Sequence, residues 1–444
     1  MKLNSMTLQL AAFGVAASLF FFAGCGGGGA STTGTTGTTG TSTGLTTGTT
    51  TGTTTGTTTG TTTGTTTGTT TGTTTGTTTG TTTGTTTGTT TGGTSGSIEG
   101  TVRSFDGVTP VVGAEVSIPD RSREKVNTDS DGKFKFSNLP AGSYPVSIKS
   151  GKFTRSVNVS ITSEQNLTIP GAQTQLPTDP AAGAPKIAVV TGDYDRMEDV
   201  LAKVGFGPVS DIGRAIADGT QKYDVYRGTA LNISGGVYAG LVDDLINNTI
   251  TLSNYNIIIL NSGMTSTAFG TTPSTVAAKL KAWVEAGGAL FATGEAYRFV
   301  EQAFPDRIDF FGDDAKAASE VENRDSEVGE PYSSLAADVD DVNTRAALKG
   351  AGALNSSDML DLSASFPAWV VVNSASGTGA ATILSANVPF TPLGGSLTNA
   401  TKPLTVIFSA GSGKVLYSSF ISPTVTSPSI RPQERLLSYF LTGL

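Results

Sequence analysis

The chain has 444 residues, a formal net charge of −8, a single cysteine and no histidine. Disulfide cross-links, imidazole base catalysis and the Cys/His ligand sets that favour zinc or copper are therefore excluded from its folded parts. With 36 Asp+Glu against 28 Lys+Arg and no long basic run, nucleic acid is not an expected partner.

Residues 1–24 have the layout of a signal peptide: a cationic start at Lys2, an apolar middle from Met6 to Phe22 and small residues at Ala23-Gly24. With Cys25 next, the segment resembles a bacterial lipoprotein signal, although Phe22 stands where that signal usually has Leu. The resemblance implies that Cys25 is lipidated and becomes the mature N-terminus. It also implies an exported protein held to a membrane by lipid, at the outer membrane or cell surface. An uncleaved anchor is the alternative, since the apolar run is near the roughly 18-residue minimum for spanning a bilayer.

From Cys25 to residue 96 the chain is almost wholly Thr and Gly, with Thr-Thr-Thr-Gly repeated through most of the span. Such a tract has no apolar face to offset the entropy of ordering, so composition predicts a disordered stalk.

Residues 97–170 alternate apolar and polar positions, as in Ala114/Val116/Ile118 and Tyr144/Val146/Ile148, with turn signals at Asp106-Gly107 and Asp131-Gly132. This pattern predicts a small all-β sandwich. Gly113-Ala114-Glu115-Val116, Thr128 to Phe136 and Leu139 to Val146 resemble the carboxypeptidase regulatory-like, transthyretin-like sandwich. That family implies a non-catalytic spacer, fold-stabilising or adhesion module. Asp129-Ser130-Asp131-Gly132 echoes the start of a calcium loop, but Asn138 occupies the place of its last ligand, and a hairpin turn is expected.

Residues 171–185, rich in Pro, Ala, Gln and Thr, read as a linker, and residues 186–444 form the next domain. Ile187 to Thr191, Tyr255 to Leu260 and Ala289 to Thr293 are apolar strands separated by amphipathic helices. They predict a three-layer α/β domain with a mainly parallel sheet, richer in strands toward its end. Ligand sites in such sheets lie beyond the carboxyl ends of the strands.

The order of these elements, with Leu280 to Gly294 and Gly413 to Phe420, resembles the class I glutamine amidotransferase-like superfamily. The resemblance implies a strand-to-helix elbow carrying a cysteine and a late Phe-His-Pro-Glu. Here the elbow is Thr293-Gly294-Glu295-Ala296-Tyr297 and the late segment is Phe420-Ile421-Ser422-Pro423. Nucleophile and base are both missing, so the family's amide transfer is excluded and no catalytic residue is assigned.

Only carboxylates and hydroxyls remain for chemistry. Glu295 at the elbow, with Asp193 or Asp195 across the sheet, forms the sharpest catalytic candidate, against a plain reading as loop acids. The aspartates at 306, 309, 313 and 314, and at 338, 340 and 341, lack diagnostic calcium spacing. Neither a cofactor nor a metal site is expected. Trp369 is either a sugar platform or a core residue. The leading expectation is a non-catalytic cell-envelope lipoprotein whose tip binds a glycan, peptide or envelope protein. A surface hydrolase using Glu295, or a scaffold without a ligand, are the alternatives.

Overall fold

The computed structural model describes the paired positions of the Thr/Gly tract between 30 and 91, and then 95–119, 125–228, 233–264, 274–310, 328–366, 369–375, 379–392, 395–422 and 426–444. Cys25 and the signal-like segment lie outside the described residues. Backbone contacts divide the chain into two units, one dominated by residues 1–96 and the other holding most of residues 97–444.

In the Thr/Gly tract, the described positions pair as short parallel strands. Thr38 pairs with Thr54, and Thr54 with Thr70, so each strand meets the one sixteen residues further on. Like stacks on like, Gly40 on Gly56 and Gly56 on Gly72. The structural period is thus four copies of the four-residue unit. Threonine's β-branch favours extended backbone, and backbone hydrogen bonds replace the missing apolar face.

In the second unit, the sandwich is built from β1 (Gly96–Thr101), β2 (Glu115–Ser117), β3 (Lys125–Asn127), β4 (Lys133–Leu139), β5 (Gly142–Ser150), β6 (Phe153–Ile161) and β7 (Asn166–Thr168). One sheet has the order β4-β1-β7 and the other β3-β2-β5-β6. Period-two alternation buries Val116, Phe134, Phe136, Val146 and Ile148 between them. The expected hairpin turn is present: Asp129 Oδ1 accepts from the amides of Asp131 (2.9 Å) and Lys133 (2.8 Å), and Gly132 takes φ 75°.

The linker of residues 171–185 is tied down along its length. A short helix, α1 (Gly171–Thr174), is followed by Leu176, which is buried and donates its amide to the Arg103 carbonyl. The Gln175 side chain reaches the Phe105 carbonyl at 2.7 Å.

The α/β part comprises β8 (Ile187–Val190), α2 (Met197–Leu201), β9 (Asp224–Arg227), β10 (Gly240–Leu241), α3 (Val242–Ile246), β11 (Ile257–Leu260), α4 (Ser274–Glu285), β12 (Ala289–Thr293) and α5 (Tyr297–Ala303). There follow β13 (Tyr332–Val339), α6 (Val342–Gly350), β14 (Ala381–Phe390), β15 (Thr398–Ala410), β16 (Gly413–Ser418) and α7 (Pro432–Phe440). Sheet order is β10-β9-β8-β11-β12-β16-β15-β14. Pairing is parallel from β10 to β16 and antiparallel beyond it. The central strands β8, β11 and β12 are buried on both faces, as their continuous apolar runs require, whereas β9 and β10 toward the sheet edge are partly exposed.

Sandwich and α/β sheet share an interface. Phe105 and Phe153 of the sandwich meet Phe206 edge to face, at centroid distances of 4.9 and 6.4 Å. Ser150 Oγ donates to the Thr442 carbonyl at 2.8 Å, and Lys152 Nζ to the Gly287 carbonyl at 2.6 Å.

Candidate functional site

In this sheet the chain order reverses between β8 and β11, where open α/β folds leave a ligand crevice at the carboxyl ends. Here the two loops that would flank it are bonded to each other. The Asp193 amide donates to the Gly263 carbonyl at 3.1 Å, and the Tyr194 amide to the Ser262 carbonyl at 3.3 Å. Gly192 makes this approach possible, since a Cβ there would lie 2.0 Å from the Ser262 carbonyl oxygen.

Below this seam lies a buried polar network. Asp195 is fully buried and accepts three bonds from other loops or its own: Oδ1 from the amides of Ser422 and Arg196, both 2.8 Å, and Oδ2 from the Thr293 hydroxyl. Thr293 Oγ1 in turn accepts from the Ser262 amide at 3.1 Å. One carboxylate thus ties together the loops after β8, β11, β12 and β16. Burial pushes Asp195 up to about 6, against the bonds from Thr293, Ser422 and Arg196.

The next helix adds two more acids. Glu198 is fully buried; Oε2 accepts from Asn261 Nδ2 at 2.7 Å and Oε1 pairs with Arg196 at 3.3 Å. Asp199 accepts the Ala215 amide at 2.7 Å and pairs with Arg214 at 3.4 Å. Burial raises the pKa of both, and their mutual repulsion raises that of Glu198 further.

The three carboxylates nominated by the sequence have different fates. Asp195 is a structural brace whose oxygens are taken up within the protein. Asp193 is half-buried beside the seam, its amide committed to Gly263. Glu295 stands exposed on the turn after β12, its amide donating to Ser262 Oγ at 3.1 Å. Partial desolvation of Glu295 raises its pKa, and Arg298 opposes the rise. The network connects Asp195 to the elbow through Thr293, but its carboxylate faces inward whereas that of Glu295 is exposed.

At the elbow, the residue with left-handed backbone is Gly294, φ 48°, where a Cβ would come 2.4 Å from Ser262 Oγ. The strained position therefore carries no side chain. After β16, Phe420, Ile421 and Ser422 are buried, and the Ser422 amide is spent on Asp195.

Sequence reading missed Asn261, Thr293 and Ser422 as partners of Asp195, and Glu198 as the buried partner of Asn261. The apolar strand before Asn261 and the helical spacing of Met197, Val200 and Leu201 place the segments, but neither signals that Glu198 points inward.

Asp309, Asp341 and Trp369 among the remaining candidates have structural roles. Asp309 accepts from Asn373 Nδ2 at 2.7 Å, and Asp341 caps α6 through the Thr344 amide at 2.7 Å; Asp313 and Asp314 lie outside the described residues. Trp369 is buried, its indole donating to the Glu330 carbonyl at 3.1 Å, so it is a core residue and not a sugar platform. Gly411-Ser412 turns β15 into β16, with Ala410 paired to Gly413. Among the described residues no helix is long and apolar enough to cross a membrane.

Residues 97–174 match the family profile of the carboxypeptidase regulatory-like domain. No curated protein matches the chain. Among solved structures, the chain is similar to a ThuA-like protein from Bacteroides uniformis at 12% identity, covering 60% of this chain and 90% of that one, with a TM-score of 0.34. It is similar to a cytoplasmic protein from Salmonella typhimurium at 12% identity, covering 58% and 97%, with a TM-score of 0.33. A β-galactosidase from Rahnella sp. R3 matches at 15% identity, covering 61% and 32%, with a TM-score of 0.28. These likenesses carry no argument about activity.

Proposed function

We propose that the chain is a non-catalytic cell-envelope lipoprotein, anchored through Cys25, which carries its sandwich and α/β domain on the Thr/Gly tract to bind an envelope glycan, peptide or protein. The lipoprotein-like signal supports the anchor. The observation that carries the non-catalytic part is the closure of the crevice between β8 and β11, where the Gly192 and Gly263 loops hydrogen-bond to each other. Gly294 at the elbow and the burial of Ile421 and Ser422 agree with it. A site whose loops bond to each other and that offers neither a cysteine nucleophile nor a histidine base is a poor place for turnover.

The test uses the full-length chain in a bacterial host, with membrane fractionation, an array of envelope glycans and peptides, and a panel of glycoside and ester substrates. Binding without turnover is the expected result. Turnover abolished by Glu295→Gln would overturn the proposal and favour the hydrolase reading, whose support is the exposed, pKa-raised carboxylate of Glu295 beside Arg298.

A further inference from the structure

An opening in the second unit lies away from the strand ends, where the sandwich meets the α/β sheet. It has a volume of about 510 Å³, within the range of small-ligand sites. Its walls bring together Glu115 of β2, Lys149 at the end of β5, Asp341 and Asn343 at the start of α6, Lys414 of β16 and Tyr439 of α7. Leu416 and Phe440, both buried, contribute an apolar floor.

The charges in this cleft are unevenly satisfied. Glu115 pairs with Lys125 at 3.0 Å, and Asp341 is engaged by the Thr344 amide. Lys149 is exposed, and among the described residues its ammonium has no partner. The Lys414 ammonium donates to the main-chain carbonyl of Gly443, and among the described residues no carboxylate pairs with it. Burial lowers the Lys414 pKa, and the nearby Lys152 ammonium lowers it further. The walls thus carry two ammonium groups without a hydrogen-bonded carboxylate among the described residues, beside the Glu115 and Asp341 carboxylates, whose bonds are to Lys125 and the Thr344 amide.

The backbone argues against an extended peptide. Strands β2 and β5 each have neighbours on both sides, as do β14 and β16, so no free edge is available for strand addition. A ligand must be read by side chains: ammonium groups for a carboxylate, Asn343 for hydroxyls, and the Leu416 and Phe440 floor with Tyr439 for C–H faces.

We propose that this cleft binds a carboxylated saccharide, with Lys149 and Lys414 taking the carboxylate. The proposal rests on the binding function proposed above and gives it a site and a ligand class. The test is calorimetric titration of the full chain with oligogalacturonate, with a neutral glucose oligomer of the same length, and with a polyglutamate peptide. Lys149→Glu, an exposed change, and Lys414→Gln serve as variants, with circular dichroism checking the fold. Expected is saturable binding of the uronate, at least tenfold weaker binding of the neutral sugar, and a tenfold or greater loss in Lys149→Glu. Uronate binding that is absent, or unchanged in a folded Lys149→Glu, would overturn the assignment, as would tighter binding of polyglutamate. The glycan and peptide array run alongside separates the two failures: a different ligand whose affinity ignores Lys149 removes this site alone, whereas silence throughout removes the binding function as well.

Discussion

Arg435 of α7 closes an ion pair on Asp106 of the sandwich, a residue 329 positions earlier whose side chain is only 1% exposed. Asp106 also accepts the amides of Val108 and Thr109, both at 2.9 Å, and the Thr109 hydroxyl at 2.6 Å. A single carboxylate thus shapes a sandwich turn and holds the last helix of the α/β part. Removing one partner of such a pair leaves an uncompensated buried charge, and Asp106→Ala should cost about 3 kcal/mol. Both tryptophans, Trp283 and Trp369, lie in the α/β part and report on it by fluorescence. In urea, their transition should move to lower denaturant in the variant; an unmoved midpoint would mean that the contact couples nothing.

The acids under the crevice set a pH dependence of a definite sign. Asp195 has a folded pKa of about 6 against 3.8 unperturbed, and Glu198 is raised as well. The folded state therefore holds more protons than the unfolded one, and stability falls as pH rises from about 4 through 6 and further as Glu198 ionises. Glu434 works the other way. Burial pushes its pKa up, but Arg431 and Lys203 outweigh this and leave it lowered, so its contribution is lost as pH falls below the ordinary carboxylate range. Thermal melts should give a lower Tm at pH 8.5 than at pH 6, and Glu198→Gln should flatten that difference, recovering on the order of 2 kcal/mol at the upper end. A wild-type Tm that rises between these pH values would contradict the assignment.

The architecture of residues 97–444 was legible because apolar periodicity is a local signal. The alternation around Val116 and Val146 marks half-buried strands, and Ile257 to Leu260 can only be a strand buried on both faces. The elbow's lack of a nucleophile could likewise be read directly from Thr293-Gly294-Glu295. Asp195 could not be placed, because an acid two residues before a helix looks the same whether it faces water or Thr293. What decides its fate is the approach of Ser422, 227 positions away. The pairing of the Thr/Gly tract was hidden for another reason: its structural period is a multiple of the written one.

If Cys25 carries the anchor, Cys25→Ala should abolish incorporation of labelled palmitate and shift the chain out of the lipid-linked membrane fraction. Labelling that persists in the variant is ruled out by this reading, since no other thiol exists in the chain. A variant still bound to membranes, without label, would identify residues 1–24 as an uncleaved anchor.

Glu295 tests the catalytic alternative at little structural risk. It is exposed and none of its hydrogen bonds to the rest of the network involves its carboxylate; the amide of Glu295 makes the bond to Ser262. Glu295→Gln should change stability by less than about 0.5 kcal/mol. Ligand binding should be retained, and any hydrolysis measured in the wild type should continue at the same rate.

The closed crevice makes the sharpest steric prediction. Gly192→Ala would press a methyl group to within 2.0 Å of the Ser262 carbonyl oxygen, backbone against backbone, with the Asn261 Cβ a further neighbour at 3.1 Å. Neither loop can relax freely, because the Ser262 amide is held by Thr293 and the Asp193 amide by Gly263. The variant should lose about 1–3 kcal/mol, as overpacked sites do. Gly171→Ala is the control: it opens the short helix α1, a Cβ there meets nothing within 4 Å, and its stability should be unchanged or slightly improved. Equal melting temperatures for the two variants would show that the loops after β8 and β11 are not in contact in solution, and the crevice would then be open to a ligand after all.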